Sequence, residues 1–247
     1  MIGKEANEMA LSSLPTIKRY AQKCNAKLIA IESFDDPTLP AMYAKTKVHE
    51  LLKEYEKVLF IDIDILITPR APNLFELFAS NDEIFAAVPV ERFYNGVKRE
   101  KNNLQAALGE INWTQPYFNS GVMLVGRSHS HILNPHDGLI QKWHKWKKDN
   151  NKTGLNDQSI FNYRVNKDCL KLTELDRRFN FTRATQDFNK RFNCYFMHYA
   201  GLRGNRTKLM QRDRMVLDNP FVLRLYAKSP LVCKIRDAII RRTLRLH

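Results

Sequence analysis

Two carboxylates, Asp62 and Asp64, interrupt an otherwise apolar run, Lys57-Val-Leu-Phe-Ile-Asp-Ile-Asp-Ile-Leu-Ile-Thr-Pro-Arg70. Residues two apart in a strand point the same way, so the spacing predicts that the two side chains converge. Like charges brought together at the end of a buried strand are costly unless something positive lies between them. A divalent cation meets that need. Hard oxygen ligands favour Mn²⁺ or Mg²⁺, with open positions left over for the phosphates of a nucleotide. The plainer alternative is a strand end whose two Asp side chains face water or pair with Arg70.

Three further stretches carry candidate chemistry. The segment Tyr195 to His198 reads as a short apolar strand that delivers His198 to a glycine turn at Gly201 and Gly204. Asp157 and Gln158 open a predicted helix from Leu155 to Tyr163, capped by Asn156 or Asp157. Asn119, Ser120 and Gly121 turn into an apolar strand within Pro116 to Gly126. Each also has an ordinary reading: a core histidine on a backbone carbonyl, an acidic helix N-terminus, and a glycine that permits close backbone approach.

The elements expected to position these residues alternate. A helix over Glu5 to Cys24 buries Met9, Ala10, Leu14, Ile17 and Ala21, and a strand follows over Lys27 to Ser33. A helical face of Val48, Leu51, Leu52 and Tyr55 then leads into the Asp-x-Asp strand, predicted to be buried on both faces. Helix and strand in turn predict a mostly parallel central sheet with crossover helices. Further on come a short helix at Asn73 to Phe78, a strand at Ile84 to Val90 and a polar loop with some helix at Glu91 to Thr114. A basic amphipathic helix over Ile132 to Lys148 and a strand at Lys171 to Leu175 complete the pattern. A nucleotide-binding sheet ordinarily opens on a strand. Only Met1-Ile-Gly precedes the first helix here, so the first strand is expected to be missing.

Composition narrows the class. With 247 residues, 44% of them apolar, one large α/β domain is expected over residues 1–227, followed by a basic amphipathic helix at 228–247. The formal net charge of +14 implies an anionic partner. Cys24, Cys169, Cys194 and Cys233 are scattered with no Cys-x-x-Cys pair, which signals neither zinc nor a disulfide framework and fits a reducing, cytoplasmic compartment. No apolar run is long enough to span a bilayer.

Four pieces together resemble the GT-A glycosyltransferases, and among them the group of glycogenin and the bacterial lipopolysaccharide galactosyltransferases (glycosyltransferase family 8). They are Thr46-Lys-Val-His49 ahead of Phe60-Ile-Asp-Ile-Asp64, then Phe118-Asn-Ser-Gly-Val122, Asp157-Gln-Ser-Ile-Phe-Asn162 and His198-Tyr-Ala-Gly201, in the family's order. The resemblance implies a Rossmann-like GT-A fold and transfer of a hexose from a nucleoside diphosphate sugar, UDP-linked, to a hydroxyl of a glycan or glycolipid, with retention of anomeric configuration. It implies that Asp62, Asp64 and His198 hold Mn²⁺ or Mg²⁺. Asn119, Ser120 and Gly121 would lie beside the donor sugar, and Asp157 and Gln158 at the reaction centre. Lys47 matches a donor-contacting lysine, although its spacing to Asp62 is one residue short of the glycogenin pattern. Where the family places a pyrophosphate-gripping lysine, this chain has Gly204. Arg203, Arg206 or Lys208 would then substitute near Gly201, and Lys208 is included with the donor-binding set.

The rival readings are a sugar-nucleotide synthase, for which no glycine-rich basic loop is found, a nucleic-acid-binding protein, for which no recognition motif is found, and an inactive relative that binds the nucleotide donor without turnover. No nucleic-acid partner is expected. At the C-terminal end, Leu231, Ile235, Ala238 and Ile239 share a helical face while Lys234, Arg236, Arg241, Arg242 and Arg245 lie largely elsewhere. That pattern suits peripheral contact with an anionic membrane, at its inner face, or equally packing on the domain with the charges in solvent.

Overall fold

The computed structural model describes residues 2–34, 36–153, 156–183, 186–201 and 206–245, with side chains as far as residue 239. In chain order the helices are α1 (Lys4–Lys23), α2 (Val48–Glu54), α3 (Leu74–Leu77), α4 (Val97–Leu108) and α5 (Leu139–Asp149), then α6 (Asp157–Lys167), α7 (Arg206–Leu217), α8 (Pro220–Lys228) and α9 (Pro230–Arg245). The strands are β1 (Lys57–Ile61), β2 (Ile65–Ile67), β3 (Phe85–Pro89), β4 (Phe118–Gly126), β5 (Thr173–Glu174), β6 (Phe181–Thr182) and β7 (Phe196–His198).

These elements form two compact units, one built on Lys27–Asp62 and Asn73–Asp176, the other on Lys4–Ala26, Ile63–Pro72 and Arg177–His247. The first unit holds a four-stranded sheet in the order β1-β4-β3-β5. Strand β4 runs antiparallel to both β1 and β3, and only β5 is parallel to its neighbour β3. A mostly parallel sheet was expected from the alternation of helices and strands, and the pairing corrects it. Alternation does not distinguish a crossover from a return. The connection from β3 through α4 brings the chain back at the same end of the sheet, so β4 enters reversed. The core beneath this sheet gathers Phe85, Phe118, Met123, Leu52, Ile160 and Trp143, all fully buried.

In the second unit β2 pairs antiparallel with β7, and β6 lies parallel to β7. Helix α1 continues through Pro15 and buries Met9, Ala10, Ile17 and Tyr20. Helices α7, α8 and α9 follow β7 in the chain.

Two expectations about strands fail. Lys27 to Ser33 carries no ladder, and Leu28 and Ile29 are each 38% exposed, because no strand pairs with the segment to bury them. The Asp-x-Asp run is also not one strand. Strand β1 ends at Ile61, Asp62 still donates its N–H to Gly121 O at 2.8 Å, and β2 begins only at Ile65, in the other sheet. The two carboxylates therefore sit on a turn rather than in a ladder, where charge would have to be buried within pleated apolar neighbours. The basic helix starts at Leu139 instead of Ile132, since a 3₁₀ segment, Arg127–Leu133, and Gly138 at φ 77° precede it. The polar loop at 91–114 contains the three-turn helix α4. All four cysteines are free thiols, and among the described residues no helix is long and apolar enough to cross a membrane.

Candidate active site

In the first unit the functional side chains converge on Lys45, which lies in a 3₁₀ segment, Ala41–Lys47, leading into α2. Its ammonium stands 2.8 Å from Asp157 Oδ2 and 3.1 Å from Asp62 Oδ2, and donates to Ser120 Oγ at 3.1 Å. Ser120 Oγ in turn donates to Asp157 Oδ2 at 2.8 Å. Burial alone would lower the Lys45 pKa, but the pull of Asp157 and then Asp62 outweighs it and holds the group above the ordinary lysine range. Gln158 extends the network, its Oε1 accepting from Asn119 Nδ2 at 2.9 Å, while Asn119 Oδ1 accepts from Gly121 N at 2.9 Å.

Strand β4 and helix α6 present these groups because Asn162 stitches the two together. Its Oδ1 accepts from Phe118 N and its Nδ2 donates to Phe118 O, at 2.8 and 2.9 Å. Behind Asp157, Ser159 donates to Glu100, and its hydroxyl lies 3.2 Å from Tyr117 Oη. Burial raises the Glu100 carboxyl above the usual range, against the opposing effect of the Ser159 hydrogen bond.

The second unit assembles a different group around Asp64. His198 is 3% exposed; its Nδ1 lies 2.7 Å from Asn180 Oδ1 and its Nε2 3.2 Å from Asp64 Oδ1. With the Asn180 amide oriented carbonyl-first, Nδ1 carries the hydrogen and Nε2 of a neutral ring turns its lone pair toward a carboxylate. Two acceptors facing one another require a proton or a cation between them. Imidazole beside carboxylate is a donor set suited to Mn²⁺, so the residues fit a divalent ion. On the other oxygen of Asp64 sits Arg206, the first residue of α7, with Nη1 at 3.1 Å from Oδ2 and Nη2 reaching Glu5 Oε1. The buried Nε of Arg206 has no hydrogen-bond partner among the described residues.

The profile of glycosyl transferase family 8 matches residues 7–204, about four-fifths of the sequence. The chain belongs to glycosyl transferase family 8. A curated relative described as a putative glycosyltransferase of Haemophilus influenzae is 29% identical over 171 residues, covering 65% of this chain and 47% of the relative. The chain thus spans about half the length of that relative. Among solved structures it resembles the galactosyltransferase LgtC in complex with donor and acceptor sugar analogues (TM-score 0.56, 16% identity, covering 88% of this chain and 93% of that one). A glycosyltransferase involved in glycosylation of the major capsid of PBCV-1 matches with a TM-score of 0.50 and 13% identity, over 85% and 95% of the two chains. At these identities the likeness speaks to fold, which is the mixed α/β fold of family 8 structures.

Within this family 8 chain the first unit brings together Asp62, Asn119, Ser120, Gly121, Asp157 and Gln158, and the second brings Asp64 to His198. Lys47 lies apart, its Nζ 3.2 Å from Ser33 Oγ. Lys45, two positions earlier, holds the place by the carboxylates and went unread; the short spacing from Lys47 to Asp62 was the available signal. Gly201 adopts φ 67°, the left-handed conformation that favours glycine, and its carbonyl accepts from Arg183. Lys208 is exposed, and Arg206 is the cation that reaches Asp64. Arg203 and Gly204 lie outside the described residues.

Proposed function

We propose that this chain is a metal-dependent glycosyltransferase that moves a hexose from a UDP-linked donor to a hydroxyl of a glycan or glycolipid, with retention of configuration. The observation that carries the reading is the Lys45 network, which gathers Asp62, Ser120 and Asp157 through contacts no longer than 3.1 Å and reaches Gln158 and Asn119 through Ser120 N, 3.4 Å from Gln158 Oε1. Buried carboxylates held with amide and hydroxyl groups suit a polyhydroxylated ligand, since each can accept from or donate to a sugar hydroxyl. The likeness to LgtC, a galactosyltransferase solved in complex with donor and acceptor sugar analogues, supports a hexose donor and a sugar acceptor.

In this reading Asp64 and His198 hold Mn²⁺ together with Asp62, which lies two positions before Asp64 in the chain. The ion's contribution, when bound, is to stabilise the charge that grows on the leaving nucleoside diphosphate. Asp157 and Gln158 line the reaction centre and orient donor and acceptor hydroxyls, with Asn119, Ser120 and Gly121 beside the donor sugar. Lys45 is a positioning residue that holds Asp62 and Asp157 in place. Arg206, rather than Lys208, supplies the cation for the pyrophosphate, because a guanidinium engages phosphate oxygens in a fork.

The test is donor hydrolysis by Asp64→Asn. Loss of Mn²⁺-dependent UDP-sugar hydrolysis with an unchanged unfolding transition supports the assignment, whereas full activity in that variant removes it.

A further inference from the structure

Helix α9 is turned inside out. Its polar pair faces the protein: Arg236 Nη2 reaches Asp213, and Asp237 accepts from Arg191 Nη2 at 3.0 Å. Its aliphatic stripe faces solvent, with Leu231 63%, Ile235 52% and Ile239 60% exposed at i, i+4 and i+8 spacing. Cys233, on the opposite side, is fully buried. Helix α8 packs Val222, Leu223, Tyr226 and Ala227 inward and still leaves large apolar side chains outside. Asn219 caps it through Phe221 N and Val222 N, and its Phe221 and Leu225 are 80% and 49% exposed.

A stable soluble surface rarely leaves so many large apolar side chains on adjoining helices unless a partner covers them. Charge identifies the kind of partner. From Arg206 to Arg245 the sequence carries eleven Lys and Arg against three Asp. Of these cations Arg236 is engaged by Asp213 and Asp237, Arg214 by Asp218, and Arg206 by Asp64 and Glu5, so the charge of the surface rests on groups such as Arg212, Arg224, Lys228 and Lys234. Arg224, Lys228 and Lys234 are exposed among the apolar positions. Between α7, α8 and α9 opens a groove of about 390 Å³ lined by Arg212, Met215, Val216, Tyr226, Arg236 and Ile239. Cationic guanidinium groups beside aliphatic walls match an anionic headgroup that continues into hydrocarbon. An acidic protein surface would satisfy the cations and leave Phe221 and Leu231 uncovered.

We propose that α8 and α9 dock on an anionic phospholipid surface, with Phe221, Leu225, Leu231 and Ile235 entering the interface and Arg212, Arg224, Lys228 and Lys234 meeting headgroup phosphates. The surface lies in α7 to α9, beyond the stretch matched by the family profile, and is independent of the sugar-transfer reading.

Co-sedimentation of the full chain with phosphatidylcholine vesicles, with and without phosphatidylglycerol, tests it. Binding is expected only with phosphatidylglycerol, and raised salt should weaken it. Phe221→Asp combined with Leu231→Asp, both at exposed sites, should cut the bound fraction by about tenfold or more, as should charge reversal at Arg224, Lys228 and Lys234. A second readout covers the event that the aspartates disturb folding: an environment-sensitive dye on Leu231→Cys, with the native cysteines replaced, should shift to the blue on phosphatidylglycerol vesicles. No binding, equal binding to both vesicle types, an unshifted dye, or a dimer in solution that hides Phe221 and Leu231 from solvent would each overturn the proposal.

Discussion

Lys45 in the first unit and Arg191 in the second are both buried cations pinned by carboxylates, and they are built for different ends. The Arg191 guanidinium uses its whole fork: Nε meets Asp213 Oδ2 at 2.5 Å, Nη2 meets Asp213 and Asp237, and Nη1 donates to Phe188 O at 2.9 Å. The rings of Phe188 and Phe192 lie about 5 Å from the guanidinium carbon. Tyr199 Oη donates to Asp213 at 2.6 Å, closing the cluster. Every polar group of the guanidinium and of Asp213 is already committed within the protein. Lys45 is instead a point charge among two carboxylates and a serine, and its neighbours Asn119 and Gln158 carry amide groups able to turn to a ligand. Buried charge alone therefore does not mark a site; replaceable partners do.

The sharpest way to break this contrast is to remove each cation in turn. Arg191→Ala should cost about 3–5 kcal/mol in denaturant-measured stability, because the fully buried Asp213 loses its two-point partner and is left with Arg236 and Tyr199. Lys45→Met should cost less stability, about 1–3 kcal/mol, yet lower the rate of donor hydrolysis by about a hundredfold as Asp157 loses its placement. Equal stability losses in the two variants, with hydrolysis intact in Lys45→Met, would erase the distinction.

A smaller effect is expected where Arg206 shares Asp64 with His198. Arg206→Ala should tighten Mn²⁺ binding in the absence of nucleotide about fivefold, by removing a competitor for the carboxylate. The same variant should weaken UDP binding in the presence of Mn²⁺ by about tenfold. Calorimetric titration reads both, and parallel losses would show that Arg206 only supports the fold.

The smallest effect concerns Glu100. Its folded-state pKa is raised, chiefly by burial, so its contribution to stability is present below the unfolded value near 4.5 and is lost as pH rises through the folded value. Glu100→Gln keeps the oxygen that accepts from Ser159 and removes the buried charge. It should stabilise the protein at pH 7 by no more than about 1 kcal/mol and flatten the pH dependence above 4.5. A destabilised variant would mean that the ionised carboxylate is needed, with Lys147 as its counter-charge.

Much of the first unit's cluster could be read from the sequence because its members come in contiguous pieces. Phe118 to Val122 and Asp157 to Asn162 each fold as one local element, so a linear motif carries the placement of several groups at once. Lys45 and Arg206 could not be read this way. Each gains its meaning from partners more than fifteen residues away, Lys45 from Asp157 and Arg206 from Asp64 and Glu5. The turn at Asp62 to Asp64 was hidden for a related reason: an apolar run signals burial but not which strand it pairs with. Lys27 to Ser33 shows the converse, a β-like composition that forms no strand among the described residues. The stripe of Leu231, Ile235 and Ile239 was legible from its spacing; that it faces outward was not.

Unit two is stitched from distant stretches of chain, and that has a consequence for its birth on the ribosome. Helix α1 is made first, but the residues it rests against in α7 come much later: Glu5 waits for Arg206, Ser12 for Arg214 and Arg19 for Asp218. At about 5–20 residues per second, some ten to forty seconds pass before those partners emerge. Over that interval β2 and Pro72, made sooner, can meet Thr16 and Tyr20, while the face of α1 that α7 covers stays incompletely packed. The nascent chain therefore offers a chaperone an early and long-lived handle, and its second unit completes folding only after α7 has been synthesised.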